Sequence, residues 1–185
     1  MYRILIIGPS GAGKSTLARA VGKRLAIPVV HLDAINWGPG WVQRNEAEIR
    51  GQIAGWSAQD AWVMDGNYLG HIDLRLPRAT AVVWLDLPRH VYFSRAVYRS
   101  ITQVGRLRDD VGNLERCELE FFTGWVWTYP KRRPRDEALM ADLPEGVTGI
   151  VLRSSRDVSL FEQALPQSLC AGTGTFDGGS RSGYC

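Results

Sequence analysis

The apolar positions of this chain fall into short continuous runs separated by segments of helical period. Residues 2–7 (Tyr-Arg-Ile-Leu-Ile-Ile) end in four consecutive aliphatics. Such a run marks a strand buried on both faces, because a strand with one wet face would alternate. Leu17, Val21 and Leu25, with Ala18, then recur at helical spacing and predict a helix over 14–26, which Pro28 ends. A short strand follows at 29–32, with Asp33 at its C-terminal end. A loop holding Trp37, Gly38, Pro39, Gly40 and Trp41 leads to Asn45. That asparagine, with Glu48 three residues on, has the form of a capping box. The helix it opens carries Ile49, Ile53 and Trp56 on one face and is expected to reach about residue 59.

The second half repeats the rhythm. Residues 61–64 read as a third strand closing at Asp65-Gly66, and 67–78 as a turn-rich connection. Residues 81–85 (Ala-Val-Val-Trp-Leu) are a fourth strand, followed by Asp86-Leu87-Pro88 and a helix from about residue 89. A polar, arginine-rich loop spans 104–114, and an aromatic helix is expected over 115–129. Pro130 and Pro134 are expected to break it, leaving a short helix at 136–141 before a last strand at 148–152 and a closing helix at 158–165. Strands alternating with helices predict an α/β fold with a parallel sheet and right-handed crossovers. Beyond residue 166 the composition turns to Gly, Ser and Thr, so 1–165 reads as one domain and 166–185 as a flexible tail.

Composition narrows the picture little further. The 185 residues suffice for one domain with a real core. A net charge of +3 does not by itself imply a nucleic-acid partner, but ten Lys/Arg against five acids fall within residues 89–135. A basic middle of this kind suits an anionic ligand. Cys117, Cys170 and Cys185 have no metal-ligand spacing and read as free thiols. No apolar stretch is long enough to span a membrane and no signal-peptide pattern opens the chain, so a cytoplasmic location is expected.

The chemistry centres on Gly8-Pro9-Ser10-Gly11-Ala12-Gly13-Lys14-Ser15-Thr16, which sits between the first strand and the first helix. A Gly, four residues, then Gly-Lys-Ser is the P-loop signature. Gly8, Ser10, Gly11, Ala12, Gly13, Lys14, Ser15 and Thr16 are therefore expected to bind a nucleotide, ATP. Gly11 and Gly13 permit positive φ and a close approach to an anion. The amides face the phosphates at a helix N-terminus. Lys14 bridges the β- and γ-phosphates, and Ser15 ligates Mg2+. In an open α/β sheet the ligand lies beyond the C-terminal strand ends, where Asp33, Asp65 and Arg153 also fall. Asp65 ends an apolar strand and is assigned to Mg2+ with Ser15. Asp33 is assigned to the acceptor hydroxyl, to orient or deprotonate it. Arg95 and Arg99, one helical turn apart, clamp developing phosphoryl charge. Arg153 is grouped with the nucleotide. The Lys131-Arg132-Arg133-Pro134-Arg135 run reads as a solvated turn at a helix C-terminus, Trp37 and Trp41 as satellite core, and His31, His71 and His90 as residues without a metal.

With these stretches in place, the chain resembles the adenylate-kinase-like branch of P-loop kinases. It is most similar to the bacterial proteins labelled topology modulation proteins. The likeness rests on the P-loop, His31-Leu32-Asp33, Trp62-Val63-Met64-Asp65-Gly66-Asn67-Tyr68 and Trp84-Leu85-Asp86-Leu87-Pro88-Arg89. It implies a three-layer fold: a five-stranded parallel sheet in order 2-3-1-4-5 with helices on both faces. It also implies an acceptor segment after the second strand and a lid at about 104–116. Arg95 and Arg99 match the arginine pair that serves nucleotide and phosphates there, and Asp65 matches the acid that holds Mg2+. Asn67-Tyr68-Leu69 stands where an adenylate kinase has Phe-Pro-Arg, so the AMP-side pattern is not matched. The expected activity is transfer of the ATP γ-phosphate, with Mg2+, to a small nucleotide-like or hydroxyl acceptor. The competing class is an ATP-dependent regulator of DNA topology acting through DNA or protein binding.

Overall fold

In the computed structural model the described residues are 1–108, 110–114, 121–165, 169 and 174–175. Five strands, β1 (Arg3–Ile7), β2 (Val29–His31), β3 (Trp62–Asp65), β4 (Ala81–Leu85) and β5 (Thr148–Leu152), form a parallel sheet in the order β2-β3-β1-β4-β5, and a two-residue sixth strand extends it beyond β5. The continuous apolar runs are explained by what lies on each side. Ile4, Ile6, Val83, Leu85, Ile150 and Leu152 point into one buried cluster, and Leu5, Ile7, Met64, Val82 and Trp84 into the other. Helices α1 (Lys14–Leu25), α5 (Arg89–Thr102) and α7 (Ser155–Gln163) supply the first layer through Leu17, Val21, Tyr92, Ala96 and Phe161. Helices α2 (Leu32–Asn36), α3 (Glu46–Ser57), α4 (Ile72–Arg75) and α6 (Tyr129–Ala141) supply the second through Ile35, Ile49, Ile53, Ile72 and Leu139. Both fourth and fifth strands fall on the residues expected from their patterning.

The capping signal at Asn45 is realised: its side chain accepts from the Glu48 amide at 2.8 Å. Residues 130–134 are a correction. Pro130 does not break a helix but sits in the first turn of α6, where its missing N–H has no intrahelical partner to lose. Pro134 lies inside the same helix, at a cost of about 3 kcal/mol in an ordinary helix. The side chains beside it are firmly held, Arg133 by Asp86 and Glu137, and Asp136 by Tyr129. The basic run is therefore the N-terminal half of a helix rather than a C-terminal turn. Two of its cations are anchored: Arg132 lies 3.9 Å from the Trp125 ring centroid, and Arg133 forms a bidentate pair with Asp86.

Of the expected aromatic helix, Phe121–Val126 forms a π-helical turn, and 115–120, with Cys117 and Arg116, lie outside the described residues. In the segment read as tail, Leu169 is buried and Gly174–Thr175 pair in parallel with β5 as β6. The rest of 166–185, including Cys170 and Cys185, lies outside the described residues. Among the described residues no helix is long and apolar enough to cross a membrane.

Candidate active site

Gly8 to Thr16 leaves β1 and turns into α1, and its backbone is held from three sides. Gly11 has φ +84°, and a Cβ there would lie 2.1 Å from the Tyr92 carbonyl oxygen, so α5 packs against the loop with no room for a side chain. Close packing of α5, rather than an approaching anion, is what Gly11 answers to. Gly13, with φ +96° and open space around it, is required by its backbone conformation alone. The Gly8 amide donates to Asn67 Oδ1 at 2.7 Å. Asn67 in turn donates to Asp136 Oδ2 at 3.2 Å, which also accepts from the Tyr129 hydroxyl at 2.6 Å. Burial pushes the Asp136 carboxyl up, against the pull of Tyr129 and the nearby Lys14.

Inside the loop, Lys14 Nζ donates to the Pro9 carbonyl at 3.0 Å. Burial pushes the Lys14 ammonium down, opposed by the charges of Asp33, Asp65 and Asp136. Ser15 Oγ donates to Asp65 Oδ2 at 2.7 Å. Asp65 is buried, and its other oxygen is paired with His31 Nδ1. The sheet makes that pair: the β2–β3 register sets His31 directly beside Asp65. Burial lowers the His31 ring, but the hydrogen bond to Asp65 and the charges of Asp65 and Asp110 together outweigh it and raise it overall. His31 thus has an acid partner that sequence spacing did not reveal. His71 has one as well, Glu46 at 2.8 Å.

Asp33 lies in the first turn of α2, and its charge acts on Lys14. Tyr68 donates its hydroxyl to Asp33 Oδ1 at 2.7 Å, and Trp37 Nε1 donates to the Tyr68 oxygen at 3.2 Å. Burial and the Asp33 charge push the Tyr68 phenol well above its ordinary range. Tyr68 itself is positioned by Arg75, a fully buried guanidinium that donates to the carbonyls of Asn67 (3.0 Å) and Tyr68 (2.9 Å). Burial lowers Arg75 to about 10.

The arginine-rich loop rests against Asp33 and the Trp37–Trp41 turn. Leu107 and Leu114 pair as an antiparallel bridge. Arg108 forms a bidentate pair with Asp110 (3.0 and 2.8 Å) and comes within 3.7 Å of Asp33. Burial pushes Asp110 up, but Arg108, with Ser15, brings it down to about 2. Asn113 is buried and bridges the Trp37–Trp41 turn: it accepts from the Gly40 amide at 2.8 Å and donates to the Gly38 carbonyl at 2.9 Å. Trp41 Nε1 donates to the Leu114 carbonyl at 2.8 Å, and Trp37 and Trp41 meet edge to face at 6.1 Å. The two tryptophans therefore join the loop to Tyr68 instead of forming an isolated satellite. An Asn113→Ala variant loses both bridging bonds of a buried side chain, weakening loop docking by about 1–3 kcal/mol. Amide exchange at Gly40 and Arg108 is expected to quicken by roughly tenfold or more; unchanged exchange would show that Asn113 does not hold the loop.

Arg95 and Arg99 line a cleft of about 440 Å³ with Gly11, Gly13, Thr16 and Ser155, and Arg95 donates to Ser155 Oγ at 2.9 Å. Arg153 is absent from that lining; it lies 3.8 Å from Asp86. Among the described residues no group of three or more His, Cys, Asp or Glu can hold a metal by itself. The hydroxyl of Ser15 against the carboxylate of Asp65 fits a hard cation such as Mg2+ that completes its shell with water and phosphate oxygens.

This arrangement sets a loop of P-loop sequence between β1 and α1, an acid at the end of the neighbouring strand β3, and two arginines of α5 in the cleft beside the loop. The fold has known counterparts. The pattern of the AAA family (ATPase family associated with various cellular activities) matches residues 4–64. Similar solved structures include a shikimate kinase from Bacteroides thetaiotaomicron, at 18% identity and TM-score 0.55, covering 91% of this chain and 98% of that one. A gluconokinase from Sinorhizobium meliloti 1021 aligns at 15% identity and TM-score 0.53, covering 91% of each. A shikimate kinase from Acinetobacter baumannii in complex with shikimate aligns at 18% identity and TM-score 0.55, covering 89% and 92%. No curated protein matches the sequence.

Proposed function

We propose that this protein is an ATP- and Mg2+-dependent phosphotransferase that moves the γ-phosphate to a small acceptor through a hydroxyl group. The observation that carries this reading is the grouping of Lys14, Ser15, Asp65 and Asp33: Ser15 donates to Asp65, and the charges of Asp33 and Asp65 act on Lys14. Asp33 is the acid whose charge acts most strongly on Lys14. A phosphate-side cation and an acceptor-side acid so placed fit a donor and an acceptor meeting in line. The P-loop amides and Lys14 hold the β- and γ-phosphates. Ser15 and Asp65 would hold Mg2+, which would supply neutralisation of the phosphate charge. Arg95 offers a face for the base in the cleft beside Ser155, and Arg99 neutralises charge that develops on the transferring group. Asp33, fixed by Tyr68, accepts or orients the acceptor hydroxyl proton. Arg108 covers it from the loop and restricts water.

Shikimate kinase and gluconokinase among the similar structures support an alcohol of small-metabolite size as acceptor. The regulator of DNA topology has less support, because the similar solved structures are small-molecule kinases. The metal assignment is tested by Asp65→Asn. The variant should need roughly tenfold more Mg2+ for half-maximal ATP turnover while keeping its melting temperature within a few degrees. A wild-type Mg2+ titration would return Asp65 to a purely structural partnership with His31.

A further inference from the structure

Above the ends of β4 and β5, apart from the ATP cleft, lies a second concavity of about 340 Å³. Asp86, Arg89, Tyr92, Tyr129, Arg133 and Arg153 line it. Three guanidinium groups and one carboxylate line it: Arg89 lies over the Trp127 ring and donates to the Trp127 carbonyl at 3.1 Å, and Arg133 also donates to Glu137 at 2.6 Å. Asp86 takes Arg133 in a bidentate pair at 2.8 and 2.7 Å, and Arg153 stands off at 3.8 Å. The fourteen-residue helix α5 begins at this spot, with Pro88 at its N-cap, no side-chain cap and no acid in its first turn. Its positive end therefore has no side-chain cap, and among the lining residues Asp86 alone carries negative charge.

Two polar atoms here are also unsatisfied. The Tyr92 side chain is 98% buried (2% exposed), and its hydroxyl has no hydrogen-bond partner; neither has Arg89 Nε. A buried donor left unmade costs about 1–3 kcal/mol, and two beside each other at a cationic concavity point to an acceptor supplied from outside. A single carboxylate satisfies one arginine fork, as Asp86 does. Three arginines, a hydroxyl and a helix N-terminus call for a group with more oxygens and more charge. Leu87, Pro88 and Pro130 add apolar wall beside it.

We propose that this concavity is a second anion site that binds a phosphoryl group, either free phosphate or the phosphate end of a small metabolite, separately from the P-loop. On binding, Arg133 and Arg153 exchange part of their pairing with Asp86 for the ligand oxygens. The site shares α5 with the ATP cleft: Arg89 and Tyr92 are at one, Arg95 and Arg99 at the other, and the Tyr92 carbonyl is packed on Gly11. An occupant of one concavity thus touches the helix that lines the other.

Calorimetric titration of inorganic phosphate into the full chain, with and without a non-hydrolysable ATP analogue and Mg2+, tests this. Phosphate binding should persist in the presence of the analogue. It should weaken at least tenfold in Arg133→Gln and about threefold or more in Tyr92→Phe. In Asp86→Asn it should tighten severalfold, because the competing carboxylate is gone; a misfolded variant cannot produce a gain. A parallel arm with a sugar monophosphate separates the two sources: tighter binding than free phosphate assigns a metabolite, and equal or weaker binding assigns the free ion. Phosphate binding that is absent, displaced entirely by the analogue, or indifferent to all three substitutions overturns the proposal.

Discussion

A Lys14→Ala variant is expected to turn over ATP at least about 100-fold more slowly than the wild type. Lys14 is the cation of the phosphate loop, and its amine is buried beside Asp33, Asp65 and Asp136. It donates to its own loop, at Pro9, so the ammonium is held within the turn proposed to receive the phosphates. Removing it leaves three acids around the place where negative charge accumulates, which penalises the transition state more than the ground state. The loss should therefore fall on kcat as well as on ATP affinity, read by ADP release under saturating ATP. The melting temperature should hold, since the deletion relieves burial of a charge. Turnover near the wild-type level would mean that the loop does not serve ATP chemistry.

Asp33→Asn is expected to lower acceptor phosphorylation by roughly 10²- to 10⁴-fold, the span of a positioned acid–base group. The Tyr68 hydroxyl can still donate to the amide oxygen, so the side chain keeps its place while losing its charge and basicity. ATP affinity should change little, because Asp33 stands on the acceptor side. Tyr68→Phe should give a milder loss, through positioning alone. Equal losses of ATP affinity and transfer rate in Asp33→Asn would move this residue to the nucleotide.

The local features of the molecule were legible in its sequence. The runs at 81–85 and 148–152 became β4 and β5 residue for residue, and Asn45 caps α3 as its spacing with Glu48 implied. The order of the parallel sheet followed from the resemblance carried by the P-loop and its companion motifs. What could not be read were side chains brought together across the fold. His31 meets Asp65 because β2 pairs with β3, at a separation of 34 residues. Asn113 meets Gly38 across 75 residues, and no periodicity signals it. Arg133 and Asp86 pair across 47 residues. Pro130 and Pro134 misled for a different reason: proline marks both the start of a helix and its interruption, and only the packing of Tyr129 and Asp136 decides which. Arg153 sits at a strand end as expected, yet its side chain turns to Asp86 and not to the phosphate loop.

The most direct measurement of the central claim is an acceptor screen with two readouts taken together, ADP release and product mass. Nucleosides, nucleoside monophosphates, and small sugar or shikimate-like alcohols are each added to the protein with ATP and Mg2+, beside an arm with duplex DNA. Without an acceptor, water in the assembled site should give slow hydrolysis. One small acceptor should raise ADP release at least about tenfold and gain the mass of one phosphoryl group, and Arg99→Ala should remove most of that stimulation with little change in ATP affinity. Stimulation by duplex DNA alone, falling steeply with salt and yielding no phosphorylated small molecule, would contradict the account.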